Sequence, residues 1–296
     1  MSENLIVTQD DTRILIRSEL LDKIACPDCK SPLSQDAGSL RCSGCNVGFP
    51  VIADGRLPIL HSADSEFAKI DVAWSMPKST GKKRKSYRQK RLLPQTDVTN
   101  YSKPDRQYFL NQVQGEWILN VGSGEPNDTL AQNWANLDIF PHENCDVVGD
   151  AHWLPFRDGS FGAVTSDSVL EHVRRPFDMA AEMVRVLKPG GLLWCSVPFA
   201  HPIHADPDDY FRYSPEGLKM LFHECDVIRV GPTRGPISAI AHFAERAAEA
   251  MLPGKAGFAA RWLTAWAIQP FKYLDPRLLK RDPNCACSFF ILLKKR

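Results

Sequence analysis

The sequence predicts an α/β protein built on a mostly parallel sheet, preceded by a small cysteine-bearing module. Three observations carry this reading. From about Glu116 onward, short apolar runs alternate with helical patterns, the signature of parallel strands joined by crossover helices. Two Cys-x-x-Cys pairs, Cys26/Cys29 and Cys42/Cys45, stand close together near the start. A run of dense positive charge, Lys78 to Pro94, separates the two regions.

The elements follow in order. Residues 1–61 read as a turn-rich module of short strands that needs a staple to fold. Residues 62–114 read as a basic linker, because the charge run has no apolar periodicity. Residues 115–296 read as the main domain. In it EWILNVGSG is a buried strand entering a glycine turn, and ANLDIF, CDVVGDA and FGAVTSDSV are three more strands. PFDMAAEMVRVLKPGG is an amphipathic helix with Pro176 in its first turn and Gly190-Gly191 after its end. GLLWCSVP is the fifth strand. SPEGLKMLFHEC is a helix with Ser214 as N-cap and Pro215 at the first helical position. DVIRVGP and SFFILLKK close the sheet. Between these last two lies a helical insertion, about 236–283, broken at Pro253-Gly254. Its Trp262 and Trp266, with Arg261 and Lys272 nearby, suit either a core-covering pair of helices or peripheral contact with a membrane surface.

Composition limits the partners. The 296 residues hold 44% hydrophobic and 24% charged side chains, with Lys+Arg 36 against Asp+Glu 35 and a net charge of +1. Bulk charge therefore does not call for nucleic acid, although the linker's Lys82 to Arg91 leaves RNA binding as an alternative function. The N-terminus has no secretory apolar region, and no apolar run reaches the roughly 20 residues that span a bilayer. A cytoplasmic setting follows as the expectation, with the nine cysteines reduced or metal-bound.

Each Cys-x-x-Cys spacing lets two thiolates converge on one ion, and the segment between the pairs is long enough to return a hairpin. Four cysteine ligands with no open position are the pattern of structural zinc, so Cys26, Cys29, Cys42 and Cys45 are the expected Zn2+ ligands. The stretch from LLDKIACPDCKSPL through LRCSGCNVGFPVIADGRLPIL, about Leu20 to His61, resembles the small zinc-ribbon family that includes an activator subunit of tRNA and protein methyltransferases. That resemblance implies a protein partner and no catalysis of its own.

The glycine pair Gly122 and Gly124 follows the first strand, where positive φ and close approach of a ligand are useful. Asp138 ends the second strand and Asp150 the third, beside Ala151 and His152. In order and spacing, VGSG, LDI, GDAHWLPF, SVLEHV and RVLKPGG resemble the class I S-adenosylmethionine-dependent methyltransferases of the type 11 group, over about Trp117 to Phe222. The resemblance implies a Rossmann-like, mostly parallel seven-stranded sheet and S-adenosyl-L-methionine as cofactor. It implies that Gly122, Ser123 and Gly124 pack on the methionine part, Asp138 on the ribose, and Asp150, Ala151 and His152 along the adenine. Two departures stand out: Pro126 replaces a third glycine, and the helices on either side of Asp138 are truncated or missing.

The loop FAHPIHADPDDYFRYS leaves the fifth strand at the sheet edge where ligands bind. It is dense in chemistry. His204 or His201 is the expected general base, oriented by Asp206 or Asp209. His172, Asp209, Tyr210, Arg212 and Tyr213 are the expected acceptor contacts, and a metal held by the His/Asp cluster is a second use of the same residues. The acceptor stays open: a small molecule, a glycan or lipid intermediate, or a macromolecule. A non-catalytic scaffold that docks a partner through the ribbon is the competing reading.

Overall fold

The computed structural model describes residues 16–36, 38–53, 55–68, 100–124, 133–205 and 207–296. The charge run, Pro126 and Asp206 lie outside the described residues.

The N-terminal module opens with the short helix α1 (Ser18–Leu21) and four strands, β1 (Leu33–Asp36), β2 (Ser39–Cys42), β3 (Gly48–Ile52) and β4 (Leu57–Leu60). β1, β2 and β3 form antiparallel pairs, and β4 returns antiparallel to β3. The larger domain adds β5 (Ile118–Val121), β6 (Trp134–Asp138), β7 (Val147–Gly149), β8 (Phe161–Asp167), β9 (Leu187–Pro198), β10 (Cys225–Arg234) and β11 (Ser288–Lys295). Its seven strands lie in the order β7-β6-β5-β8-β9-β11-β10. The first five are mutually parallel, and β11 runs antiparallel to both β9 and β10. This is the mostly parallel sheet that the strand pattern predicted and the seven-stranded, Rossmann-like form that the resemblance implied. The chain's order reverses at β5, so ligands belong at the carboxyl ends of β5 and β8.

The module is not a separate body on a tether. β4 pairs in parallel with β7, Ile59 opposite Val148 and Leu60 opposite Gly149, so the sheet continues into the ribbon. Leu20, Ile24, Leu40 and Phe49 belong to the same buried cluster as Leu137, Phe156 and Met183. Lys30 Nζ reaches Glu182 Oε2 at 2.9 Å and the Leu154 carbonyl at 3.2 Å. Arg17 donates to the Trp134 carbonyl and to Asp146.

Helices cover both faces. α2 (Lys103–Gln112) lies within the 62–114 stretch expected to be linker. It belongs to the domain because Phe109 is fully buried and packs on Trp194, which stacks on Phe290 at 4.6 Å. α3 (Pro176–Val186) buries Met179, Ala180, Met183 and Val184 at helical spacing. It ends earlier than its sequence suggested: Leu187 is already extended and pairs with Phe161, and the Lys188–Gly191 turn belongs to β9. α4 (Pro215–Leu221) starts as expected, with the Ser214 hydroxyl accepting from the Gly217 N–H at 3.2 Å. No helix separates β6 from β7.

The insertion is α5 (Pro236–Met251), α6 (Gly254–Ile268) and α7 (Asp275–Arg281). Buried Asp275 accepts from the Ile237 N–H at 2.7 Å and from Ser238 Oγ, so α7 caps α5. Arg261 of α6 reaches Glu245 and Glu249 of α5. Their outer faces are apolar: Ile240, Phe243, Ala247 and Met251 on α5, and Ala259, Leu263 and Trp266 on α6, are all exposed. No helix among the described residues is long and apolar enough to cross a membrane.

Candidate functional site

The four cysteines converge. Cys26 Sγ lies 3.7 Å from Cys45 Sγ, Cys29 Sγ lies 3.3 Å from Cys42 Sγ, and all four sulfurs fall within 4.8 Å of one another. Zinc–sulfur bonds of about 2.3 Å in a tetrahedron place sulfurs roughly 3.8 Å apart, so the set fits a zinc ion. The Gly44 and Cys45 N–H groups point at Cys42 Sγ. A side chain at Gly44 would strike Ser31 Oγ at 2.3 Å, so the turn requires glycine. Burial pushes the Cys26 thiol up to about 12, whereas hydrogen bonds from Ser31 bring Cys29 down to about 6. A dication among the four would hold all of them as thiolates.

At the carboxyl end of β5, Gly122 and Gly124 have φ of +69° and +61°. The Gly124 N–H donates to Asp138 Oδ2 at 2.9 Å, and the Phe140 N–H to Asp138 Oδ1 at 3.1 Å. Ser123 Oγ meets His142 Nε2 at 3.1 Å. Asp150 is almost fully buried. Burial alone would raise its carboxyl, but hydrogen bonds from His152 and Ser65 outweigh it and hold the group below its ordinary value. The Ser65 hydroxyl donates to Asp150 Oδ2 at 2.6 Å, so the chain leaving the ribbon secures this acid. Phe67, two residues on, meets Phe140 edge-on at 5.8 Å. These residues fit the nucleoside half of a cofactor: two strand-end acids, an open glycine turn and an aromatic wall.

The turn after β8 lies against the glycine turn. A Cβ on Gly122 would sit 2.3 Å from Val169 Cγ2. Ser168, just before it, holds a left-handed φ of +58°. The single turn Leu170–His172 then presents Glu171, which is fully buried. Burial pushes its carboxyl up to about 7. The loop predicted to carry the chemistry folds back onto this turn. His204 Nε2 comes within 3.6 Å of Glu171 Oε1, and His172 Nε2 within 3.7 Å of the same atom.

The remaining loop residues mostly hold one another. Asp209 pairs with Arg212 through both carboxylate oxygens and accepts from the His204 N–H at 2.8 Å. The Arg212 pairing keeps the Asp209 carboxyl well below the usual range. Tyr213 is buried and donates to the Leu170 carbonyl. The Tyr210 hydroxyl sits between Arg174 and Asp208. His201 stacks near His204 and near His242 of α5. Burial lowers the His201 and His204 pKa values, which leaves both rings neutral at ordinary pH.

His201 and His204 open onto a cavity of about 460 Å³, lined also by Arg106, Asp167, Ser168, Ser196 and Thr233. Gly122, Asp138 and Asp150 lie outside its lining. Sequence reasoning passed over Glu171, Ser168 and Ser65. LEHV carried Glu171 in plain view, but nothing in one dimension shows that the carboxylate is buried facing two imidazoles.

Two segments of the chain match known protein families. Residues 122–195 match the family described as methyltransferase domain, and residues 17–54 match the family described as Trm112p-like protein. A demethylmenaquinone methyltransferase of Renibacterium salmoninarum is 50% identical over 105 residues, covering 30% of this chain and 44% of that protein. A ubiquinone/menaquinone biosynthesis C-methyltransferase of Desulfotalea psychrophila is 42% identical over 77 residues, 25% of this chain and 30% of that one. The chain thus spans less than half the length of these curated relatives. A solved complex of the Haloferax volcanii Trm112 methyltransferase activator with a methyltransferase superposes with a TM-score of 0.40 at 18% identity, over 64% of this chain and 87% of that chain. Residues 122–195 are thus similar to a methyltransferase domain and residues 17–54 to a Trm112p-like protein.

Proposed function

We propose that the protein transfers a methyl group from S-adenosylmethionine to a hydroxyl of an acceptor bound in the cavity lined by His201 and His204. One observation carries this reading: the glycine turn after β5 abuts Val169, so the cofactor turn and the Glu171–His172 turn are neighbours. When bound, the cofactor supplies a methyl group on a sulfonium centre, poised for in-line displacement. Gly122, Ser123 and Gly124 would hold its methionine end, Asp138 the ribose, and Asp150, Ala151 and His152 the adenine side. The acceptor oxygen loses its proton to the Glu171–His204 side of the cavity as the C–O bond forms and the C–S bond breaks. Asp209 and Arg212 position His204, and Tyr210 and Tyr213 fix the loop.

The test is calorimetric titration of S-adenosylmethionine, with Asp138→Ala as control. The proposal expects binding that weakens at least tenfold in the variant. A labelled-methyl acceptor screen then identifies the substrate. Well-folded protein that does not bind S-adenosylmethionine would favour the scaffold reading instead.

The outer faces of α5 and α6 favour an amphiphilic acceptor. The insertion also exposes the basic residues Lys255, Arg277, Lys280 and Arg281, and apolar faces combined with basic side chains seat helices on an anionic lipid surface. The inner face of α5 meets the catalytic loop through His242 and Arg246. A lipid-borne acceptor would thus enter from the surface the insertion touches. Co-flotation with anionic vesicles, lost in Trp266→Ser/Phe243→Ser, is the expected result.

A further inference from the structure

We infer that Glu171, His172 and His204 form a divalent-cation site, separate from the cysteine site and open to the acceptor cavity. The argument rests on which atoms face one another. His172 Nδ1 lies 2.5 Å from the Asp208 carbonyl, which only accepts, so Nδ1 carries the proton. His204 Nδ1 faces the Pro202 carbonyl at 3.4 Å and Asp209 Oδ2 at 3.3 Å, both acceptors, so it too is the donor nitrogen. With Nδ1 donating, Nε2 is the nitrogen that either imidazole can offer to a ligand. The two Nε2 atoms lie 3.7 and 3.6 Å from Glu171 Oε1.

Three electron-rich atoms therefore converge within 4.8 Å. Among the described residues neither Glu171 oxygen has a hydrogen-bond partner, although the side chain is fully buried. A buried carboxylate without donors is costly, and a proton or a bound cation relieves that cost. The separations are too long for hydrogen bonds. They are close to the spacing of ligands around one ion, since metal–N and metal–O bonds of about 2.0–2.2 Å set neighbouring donors roughly 3.0–3.6 Å apart.

The surroundings have the arrangement that metal sites use. Each histidine is oriented through its other nitrogen by a carbonyl or a carboxylate. The Asp209 charge is met by Arg212, so the cluster keeps one net negative charge for the cation. Three protein ligands leave coordination positions free, and His204 lines the cavity where they open. Two imidazoles and a carboxylate suit a borderline cation such as Zn2+ or Mn2+. Resting on the methyl-transfer reading, a cation there would take the place of His204 as the group that eases ionisation of the acceptor oxygen, the proton leaving to solvent.

The test counts metal. Protein purified with its ribbon zinc in place is titrated with Mn2+, which thiolates bind poorly, and bound Mn2+ is read by electron paramagnetic resonance. The expected result is one Mn2+ per chain in addition to one zinc, with affinity lowered at least tenfold in Glu171→Gln and in His172→Ala. Mn2+ should also raise the melting temperature of the wild type and not of Glu171→Gln. Zinc content that stays at one per chain with no Mn2+ bound overturns the inference. So does Mn2+ that binds the wild type and both variants equally. S-adenosylmethionine affinity, measured on the same samples, separates the two readings, because it tests the cofactor site and should be unchanged in Glu171→Gln.

Discussion

Gly122→Ala is the sharpest test of the site's geometry. The added Cβ would lie 2.3 and 3.0 Å from the two methyl carbons of Val169, on a residue whose φ is +69°. The left-handed conformation costs an L-residue about 1–2 kcal/mol. The overlap cannot be relieved without moving a half-buried β-branched side chain, a further cost of about 1–3 kcal/mol. Alanine returns about 0.4–1 kcal/mol by restricting the unfolded chain. The net loss is about 3 kcal/mol, which lowers the melting temperature by about 6 °C at roughly 2 °C per kcal/mol. Gly124→Ala is the internal control. Its φ is +61°, but an added Cβ meets nothing within 4 Å, so it should cost at most about 1 kcal/mol. Val169→Ala in the Gly122→Ala background should restore the steric part, with a coupling of about 1–3 kcal/mol in a double-mutant cycle by thermal or urea unfolding. Equal melting temperatures for Gly122→Ala and Gly124→Ala, or zero coupling to Val169, would refute the contact between the two turns.

Three further outcomes are expected. Chelating the ribbon metal should raise hydrogen exchange across β1–β4 and also weaken S-adenosylmethionine binding, because β4 and Ser65 would leave β7 and Asp150; unchanged exchange in β2 and β3 would show that the metal is not the staple. Ser65→Ala removes a 2.6 Å bond from a buried carboxylate, which should cost about 1–3 kcal/mol in urea unfolding. Burial pushes His242 down to about 3 from 6.5, so the folded ring refuses a proton that the unfolded chain takes up. Stability should therefore be complete above pH 6.5 and fall as pH drops towards 3, by about 2 kcal/mol at pH 5. His242→Phe should flatten that part of the acid limb in pH-dependent melts.

The sequence was most legible where backbone geometry follows local pattern. β5, β8 and β11 read clearly because they are buried on both faces, and Ser214-Pro215 announced a helix start that the structure keeps. α2 escaped notice because only Phe109 of its ten residues is buried, which leaves no periodic stripe. The end of α3 was misjudged because helix propensity runs through Leu187, where pairing with Phe161 wins. The docking of the ribbon was illegible for another reason. It depends on backbone hydrogen bonds between β4 and β7, and no residue type encodes a partner so distant in the chain. The site divides the same way: strand-end acids and cysteine spacing are local signals, whereas the meeting of Glu171 with His204 exists only in three dimensions.

The pairing of β4 with β7 also decides where the sheet stops. Without the ribbon, β7 would be a border strand of three apolar residues, Val147, Val148 and Gly149, with its amides and carbonyls open to any extended peptide. The ribbon closes that border and ends it in short strands, the last of which, β1, has no buried residue. The solubility of the whole molecule thus hangs on four sulfurs at its rim: metal loss would first show as self-association through a newly bared template, before the larger domain had unfolded at all.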